Sequence, residues 1–460
     1  MNFDFDNSYA QLPPQFYSAE QPRPPAAPVG LVYNTALGQD LGLSQGDDWA
    51  NVFSGAVTPK GAANISQAYA GHQFGHWAGA LGDGRAIMLG EINTPKGRFD
   101  IQLKGAGPTR WSRRGDGLAW YGPVLREYLV SESMHALGIP TTRALAAVAT
   151  GDMVYRDTGS LPGAVLTRVA PSHIRVGTFQ YFAATQDHAG LSALLEHTLN
   201  RHYPDASTPA DFLRAVCAAQ VRLVAKWMGV GFIHGVMNTD NAHVAGITID
   251  YGPCAFVDAF HPQKVFSSID HNGRYAYGNQ PQMAAWNMAQ LATALLPLEP
   301  NQDTAIQEFT KIVHEFGPLF DQEYQNVFAA KLGVNGDDTR DLIDQFMDMM
   351  TQVGADFTQS FRSLFDGNVA DHLGAADGFD DWYKSWAAQA DPSQLGGINP
   401  AIIPRNHIVE QMITNAVAGD LSLFHRFYAA LQTPFATPHD AEFLQPPSAD
   451  NIVHRTFCGT

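Results

Sequence analysis

Short apolar runs separated by glycine turns dominate the first part of the chain, from about residue 31 to residue 175. Three of these runs have the length and the β-branched or aliphatic content of strands, and they span 85–92, 99–104 and 163–168. One helix is predicted at 122–137, where apolar residues such as Tyr128 recur at helical spacing and Gly138 ends the pattern. The first part is therefore predicted to be a sheet with one helix.

From residue 176 onward, the apolar positions recur about every 3.6 residues, which is the period of an amphipathic helix. Five helices are predicted here, and they span 187–202, 208–228, 283–296, 304–332 and 340–364. The stretch 242–250 is an exception, because its β-branched residues and central Gly246 predict a short hairpin. A β-rich part followed by a helical part predicts an α+β fold.

Residues 10–30 are rich in proline and lack periodicity. We interpret them as an extended arm that lies over the body of the protein, with a flexible tail as the alternative. The chain is accordingly divided into an N-terminal arm (1–30), a β-rich lobe (31–175) and a helical lobe (176–460).

Composition narrows the class of protein. Among 460 residues, 45% are hydrophobic and 16% charged, as in folded globular proteins. The net charge of −17 argues against general binding to nucleic acid or to anionic membranes, which needs a basic surface. Three cysteines offer no disulfide framework, and we find neither a signal peptide nor an apolar run of about 20 residues. We expect a cytoplasmic monomer with neither a nucleic-acid nor a membrane partner.

The clearest chemical signal runs from His234 to Asn241, with Asp250 and Gly252 following. Protein kinases carry a histidine, an aspartate two positions on, an asparagine five beyond that and a downstream Asp-x-Gly. His234, Asn241 and Asp250 take the equivalent places, but Val236 stands where the kinase catalytic aspartate belongs. The pattern predicts a two-lobed, protein-kinase-like fold that performs ATP chemistry other than ordinary phosphorylation.

Three residues at the end of this signal are candidates for metal binding and proton transfer. Asn241 and Asp250 offer oxygen ligands, which Mg²⁺ prefers together with triphosphate oxygens and water. Asp240 is predicted either to accept a proton from an attacking hydroxyl or to support the metal site electrostatically. A helix cap or an Asx turn is the alternative for Asp240.

A cationic segment is a candidate for phosphate binding. Lys104 ends a strand-like run, and a glycine-containing loop with Arg110, Arg113 and Arg114 follows. In so acidic a chain these cations predict a site for a polyanion such as a triphosphate, with a solvated basic loop as the alternative. Glu127 on the predicted helix is a candidate partner for Lys104, as in kinases, or else an unpaired surface residue.

A glycine turn and two arginines complete the candidates. Gly82 and Gly84 allow backbone N–H groups to approach phosphate while Arg85 adds charge, although Gly-Asp-Gly also serves in plain hairpins. Arg168 and Arg175 flank the expected join between the lobes, where phosphates lie in such a fold. Either of them could equally be a surface cation.

Long blocks of the sequence resemble the selenoprotein O family, a pseudokinase-related group, over essentially the full length. The blocks are YAGHQFGHWAGALGDGRA, QLKGAGPTRWSRRGDGLA, REYLVSESMHALGIPTTRAL, RVAPSHIRVGTFQYFA, HGVMNTDNAHVAGITIDYGPCAFVDAF and DHNGRYAYGNQP. The resemblance implies a kinase-like fold that binds ATP in an inverted orientation, so that the α-phosphate faces the acceptor. It also implies transfer of AMP to Ser, Thr or Tyr hydroxyls of proteins, with pyrophosphate leaving.

The resemblance further implies roles for matching positions. Nucleotide binding is implied for Gly82, Gly84, Arg85, Lys104, Asp116, Gly117, Arg168 and Arg175. Asp240 would be the proton acceptor, and Asn241 and Asp250 would hold Mg²⁺ or Mn²⁺ against the nucleotide. Glu127 would pair with Lys104. Use of UTP with Mn²⁺ stays open.

Two other functions stay open at this point. A catalytically dead nucleotide-binding scaffold would recruit partners, but it would not need Lys104, Glu127 and both metal ligands. An atypical kinase is disfavoured by Val236.

The resemblance also bears on Cys458, which stands where eukaryotic relatives carry selenocysteine. Some bacterial relatives are thought to form a disulfide between this tail and the loop after Asp-x-Gly. Here residues 266–268 contain no cysteine, so we expect a free thiol at Cys458 with at most a weak oxidised link to Cys254.

Overall fold

The protein is represented by a computed structural model that describes residues 1, 3–157, 159–336 and 339–457. Within these ranges the fold is α+β, as predicted, with an antiparallel sheet and many helices. The strands are β1 (Tyr17–Ala19), β2 (Val29–Tyr33), β3 (Ile65–Gln67), β4 (Ala70–Gln73), β5 (His76–Ala80), β6 (Ala86–Thr94), β7 (Gly97–Lys104), β8 (Ala119–Trp120), β9 (Arg143–Arg156), β10 (Gly159–Ala170), β11 (Phe232–Ile233) and β12 (Ala255–Phe256).

The helices alternate with the first strands and then dominate the chain. They are α1 (Thr35–Asp40), α2 (Trp49–Phe53), α3 (Tyr121–Ala136), α4 (Val176–Ala184), α5 (His188–His202), α6 (Pro209–Gly229), α7 (Gln280–Leu295), α8 (Gln302–Leu332), α9 (Thr339–Val353), α10 (Phe357–Asp366), α11 (Val369–Leu373), α12 (Phe379–Ala387), α13 (Asn406–Val417), α14 (Ser422–Leu431) and α15 (Ala441–Leu444). This distribution is consistent with two lobes.

The main sheet of the described residues runs in the order β1-β3-β6-β7-β10-β9-β2, and β8 pairs with β10. Its central register brings Lys104 at the end of β7 beside Leu166 of β10, and Gln102 beside Arg168. Because side chains alternate between the faces of a strand, Lys104 and Arg168 lie on the same face. Two cations that the sequence separates by 64 positions therefore become neighbours.

Both faces of this sheet are buried. Helix α3 and the helical part cover one face, in a continuous core that includes Met88, Leu125 and Leu166. Helices α1 and α2 cover the other face, where Phe53 and Leu103 belong to a second core. Neither α1 nor α2 was predicted, since each has no more than six residues and too few turns to show a helical period.

Two predicted elements are wrong. The stretch 242–250 forms no hairpin, because its ends bridge to different partners: His243 to Arg175 and Thr248 to Thr141. The predicted helix 340–364 is two helices, α9 and α10, since Gly354 adopts the left-handed conformation (φ 62°) that ends a helix.

The segment read as an N-terminal arm takes part in the sheet. Strand β1 pairs with β3 at one edge, and β2 pairs with β9 at the other. The division of the chain at residues 30 and 175 stays a prediction. None of the helices in the described ranges is both long and apolar enough to cross a bilayer.

Candidate active site

A cavity of about 500 Å³ lies where the sheet and α3 meet the loops that follow α6. Its wall is formed by the turn before β6, the loop between β7 and β8, α3, β10 and two loop segments at 236–241 and 250–253. The residues to which the family resemblance assigns a role all line it: Gly82, Gly84, Arg85, Lys104, Asp116, Gly117, Glu127, Arg168, Arg175, Asp240, Asn241 and Asp250. The fold thus brings them together from both parts of the chain.

Lys104 lies between two carboxylates. Its Nζ is 2.6 Å from Oε2 of Glu127, which projects from α3, and it also donates to Oδ1 of Asp250. Arg168 donates to Asp250 Oδ1 at 2.8 Å and to Glu127 Oε1 at 3.3 Å. Glu127 is therefore a buried ion-pair partner and not an unpaired surface residue.

Arg175 joins this group from the N-terminal end of α4. Its Nη1 donates to the main-chain oxygen of Asp240 at 2.9 Å and to Oδ2 of Asp250 at 3.4 Å, and its guanidinium lies over the ring of Tyr69 at 4.5 Å. Arg168 and Arg175 are each 2% exposed. The alternative that these two arginines are surface cations is wrong.

Asp250 is the centre of this ion-pair cluster. Burial by itself would raise the pKa of Asp250, but Lys104, Arg168 and Arg175 outweigh burial and hold that pKa well below its ordinary value. The residue has a left-handed backbone (φ 65°), which is uncommon outside glycine and occurs most readily at Asp and Asn. Asp250 is therefore ionised at neutral pH and faces three cations.

Asp240 has a different environment. It lies in a short 3₁₀ turn, Thr239–Asn241, and burial raises the pKa of its carboxyl to about 6. Its Oδ2 accepts a hydrogen bond from Nε2 of Gln73 at 3.3 Å. Its Oδ1 is buried and has no hydrogen-bond partner among the residues that the structure describes. A buried acceptor without a donor is costly, and such atoms occur where a ligand or a proton is expected.

Asn241 and Asp250 fit a hard divalent cation. The amide nitrogen of Asn241 donates to the main-chain oxygen of Val236 at 3.0 Å, so the amide oxygen is the end left to bind a cation. No three His, Cys, Asp or Glu side chains of the described ranges form a metal cluster by themselves. A nucleotide and water would thus have to complete the coordination, which is how proteins usually hold Mg²⁺.

The glycine turn and the basic loop are joined. Thr109 Oγ1 donates to the main-chain oxygen of Asp83 at 2.7 Å, and Ser112 Oγ donates to that of Gly84. A Cβ on Gly82, where φ is 64°, would overlap the ring of Trp111. Only glycine therefore lets the turn and the loop approach this closely.

The basic loop itself is divided between the cavity and solvent. Arg110, Arg113 and Arg114 are all exposed, and Arg113 is the one of these three that lines the cavity. Of the four cations predicted to form a polyanion site, Lys104 and Arg113 thus reach the cavity wall.

Sequence reasoning missed two residues that hold site residues in place. Arg156 on β9 lines the cavity and binds Asp116, with Nη1 2.8 Å from Oδ2. Gln73 of β4 also lines the cavity and binds Asp240. Gln73 lay inside a block that resembles the family, which was the available signal, but nothing local indicated its partner 167 positions away.

The C-terminal segment contacts the loop that follows Asp250. Thr456 Oγ1 donates to the oxygen of Pro253 at 2.6 Å, and Thr456 N donates to the oxygen of Phe266 at 2.7 Å. Cys254 is buried beside this contact, but Cys458 lies outside the described residues. The expected free thiol at Cys458 stays a prediction.

Comparison with known proteins gives the family. A family model described as "Protein adenylyltransferase SelO" matches residues 1–432. The chain belongs to the SelO family. A relative named "Protein nucleotidyltransferase YdiU" from Ruegeria sp. (strain TM1040) is 54% identical over the whole of both chains. A relative of the same name from Jannaschia sp. (strain CCS1) is 54% identical over all of this chain and 99% of its own. Another from Rhizobium etli is 48% identical over all of this chain and 97% of its own. The chain is therefore a nucleotidyltransferase.

Proposed function

We propose that this enzyme transfers AMP from ATP to Ser, Thr or Tyr hydroxyls of proteins and releases pyrophosphate. One observation carries the proposal: Val236 stands on the cavity wall at the kinase-base position, while the carboxylate of Asp240 lies on the same wall beside Asn241. Valine cannot accept a proton. The family description supports AMP as the group transferred, and the name of the relatives supports a protein as acceptor.

We extend the proposal to a two-lobed, kinase-like fold with its lobes at 31–175 and 176–460. The pairing of a strand lysine, Lys104, with a helix glutamate, Glu127, supports it, because kinases position a phosphate-binding lysine in this way. The inverted orientation of ATP, with its α-phosphate facing the acceptor, is what the resemblance to the SelO family implies.

The cations and glycines of the cavity would bind the triphosphate. Arg168 and Arg175 are buried and held by carboxylates, so they keep their positions before the nucleotide arrives, which lowers the entropy cost of binding. Gly82, Gly84, Arg85, Asp116 and Gly117 would form the rest of the nucleotide site. Burial of Arg168 and Arg175 strengthens their interaction with phosphate charge.

Asp240 would take the proton of the acceptor hydroxyl on its carboxylate, whose Oδ1 has no hydrogen-bond donor within the described ranges. Proton transfer by a positioned carboxylate contributes about 10²–10⁴-fold to a rate. Asn241 and Asp250 would hold Mg²⁺ or Mn²⁺, which supplies charge neutralisation for the leaving pyrophosphate. We also propose that UTP serves as a second nucleotide donor when the metal is Mn²⁺.

Composition supports the setting of this activity. A net charge of −17 suits protein partners more than nucleic acid or anionic membrane, and three cysteines in 460 residues suit a reducing cytoplasm. We propose a cytoplasmic monomer.

The test is the fate of the label in ATP. Protein acceptors incubated with the enzyme, Mg²⁺ and ATP labelled on the α-phosphate should become labelled, whereas γ-label should leave as pyrophosphate. Mass spectrometry should find AMP on a hydroxyl side chain, and EDTA should abolish the transfer.

Each other outcome identifies a different function. Transfer of γ-label alone would make the protein a kinase despite Val236. Tight ATP binding with no transfer, across varied acceptors and both metals, would make it a nucleotide-binding scaffold.

A further inference from the structure

The β4–β5 hairpin lies directly on the loop that carries Asp240. Three consecutive residues of β4 and its turn donate hydrogen bonds to three consecutive residues of that loop. They are His72 N to Thr239 Oγ1 at 2.7 Å, Gln73 Nε2 to Asp240 Oδ2 at 3.3 Å, and Phe74 N to Asn238 Oδ1 at 2.9 Å. Each of these three hairpin residues thus binds a different residue of the loop.

Glycines allow this close packing. A Cβ on Gly71 would lie 2.9 Å from Oγ1 of Thr239 and 3.2 Å from Oδ1 of Asp240. A Cβ on Gly177, in the first turn of α4, would lie 2.2 Å from the main-chain oxygen of Ala70. Any side chain at these positions would push the hairpin away from the loop or from α4.

The hairpin is itself held by the helical part. Gln180 of α4 donates to Nδ1 of His72 at 2.9 Å. The His72 ring lies 5.0 Å from the ring of Trp77 and 5.4 Å from that of Trp286 on α7. The position of Gln73 is therefore set by contacts on both sides of the hairpin.

Gln73 is the side chain that binds the carboxylate of Asp240. Arg175 donates to the main-chain oxygen of Asp240 and not to its carboxylate, and Oδ1 has no donor within the described ranges. A carboxylate turns freely about its last bond unless a hydrogen bond holds it. Gln73 is therefore the side chain that fixes the orientation of this carboxylate.

We propose that Gln73 is a positioning residue of the transfer reaction, holding Oδ2 so that the Asp240 carboxylate is oriented to take the proton of the acceptor hydroxyl. The inference rests on the proposed function, in which Asp240 accepts the proton. It assigns the β4–β5 hairpin a part in the reaction, because the hairpin supplies the donor.

Two variants test it. Gln73→Met keeps the length of the side chain but removes the donor, and Gln73→Glu keeps the shape but places a second carboxylate beside Asp240. With α-labelled ATP and pooled synthetic peptides containing Ser, Thr and Tyr, kcat should fall by about 10-fold to 10²-fold in both. The KM for ATP should stay within about twofold, because the hydrogen bond acts on the chemical step.

His76→Asn is the matched control, since His76 is exposed on the same hairpin. It should leave kcat, the KM for ATP and the melting temperature near those of the parent. An unchanged kcat in Gln73→Met would overturn the proposal. So would a loss of ATP affinity or a fall in melting temperature that accompanies the loss of kcat, since Gln73 would then be structural.

Crystal structures of the parent and of Gln73→Met separate this inference from the proposed function. The Asp240 carboxylate should be rotated in the variant while residues 236–241 keep their main-chain positions. An unrotated carboxylate would overturn the positioning role. If the parent transferred no AMP, the proposed function would fail, and the orientation of the carboxylate would still decide what Gln73 does.

Discussion

Asp240 and Asp250 lie ten positions apart, line the same cavity and have opposite surroundings. Asp250 is bound by the cations of Lys104, Arg168 and Arg175. The carboxylate of Asp240 instead accepts a hydrogen bond from the neutral side-chain amide of Gln73. Burial raises the pKa of Asp240 to about 6, whereas at Asp250 the cations outweigh burial and hold the pKa low.

The comparison shows that the neighbours of a buried carboxylate decide its chemistry. Desolvation acts on both residues in the same direction, so the difference comes from the charges nearby. A carboxylate that stays ionised is suited to hold a metal, and one with a raised pKa is suited to accept a proton. The two ends of one loop can therefore have separate roles.

The largest effect should come from Asp250→Ala. If Asp250 holds the metal as proposed, loss of its carboxylate leaves the triphosphate charge poorly neutralised, so metal-dependent ATP binding and transfer should both fall to background. Calorimetric titration with ATP and Mg²⁺ measures the binding. Retained binding would show that the cation is held without Asp250.

Asp240→Ala should separate binding from turnover. ATP affinity should be unchanged, while kcat should fall by about 10²–10⁴-fold if Asp240 is the proton acceptor. The same titration and a transfer assay with α-labelled ATP measure the two quantities. An equal loss of ATP binding in both alanine variants would make Asp240 a support of the metal site, and the two carboxylates would then share one role.

The asparagine variants should change stability in opposite directions. At pH 7.5 without metal or nucleotide, Asp250→Asn should lose about 3–5 kcal/mol, because buried cations lose their partner. Asp240→Asn should raise the free energy of unfolding by about 1–2 kcal/mol, because it removes a charge that is costly to bury. Residues that serve function often lower stability in this way. Urea unfolding of both variants measures the difference. Destabilisation of similar size in both would mean that the two carboxylates are held alike.

The smallest effect should come from the rim of the cavity. Asp116 is 43% exposed and paired with Arg156, so Arg156→Gln should change the free energy of unfolding by about 1 kcal/mol or less. Binding of ATP should weaken only slightly, since solvent screens this carboxylate. A loss of stability as large as that of Asp250→Asn would show that the exposure of an ion pair does not determine how much it stabilises the fold.

Much of the fold could be predicted from local patterns. Helices α3, α5, α6, α7 and α8 lie within a few residues of their predicted bounds, because each one buries an apolar stripe long enough to show its period. The hairpin predicted at 242–250 was wrong, since His243 bridges to Arg175 and Thr248 bridges to Thr141. Local sequence does not specify such long-range partners.

The candidate site, too, could be predicted only in part from the sequence. The spacing of His234, Asn241 and Asp250 indicated a nucleotide and metal site, and the family resemblance supplied the residues around it. Gln73 and Arg156 were missed. Each acts on a carboxylate far away in the chain, and an ordinary glutamine or arginine carries no local sign of its partner.

The α+β class, the main helices and the family could be predicted from the sequence, as could the presence of Val236 where the kinase pattern has an aspartate, because each depends on residue type and on spacing along the chain. Asp250 has a lowered pKa and Asp240 a raised pKa because of the groups that the folded chain places around them. Both are carboxylates in one short stretch, and sequence cannot distinguish their states. Burial and the charge of neighbours set a pKa, and those neighbours come from β4, β7, β10 and α4, which meet only when the chain folds.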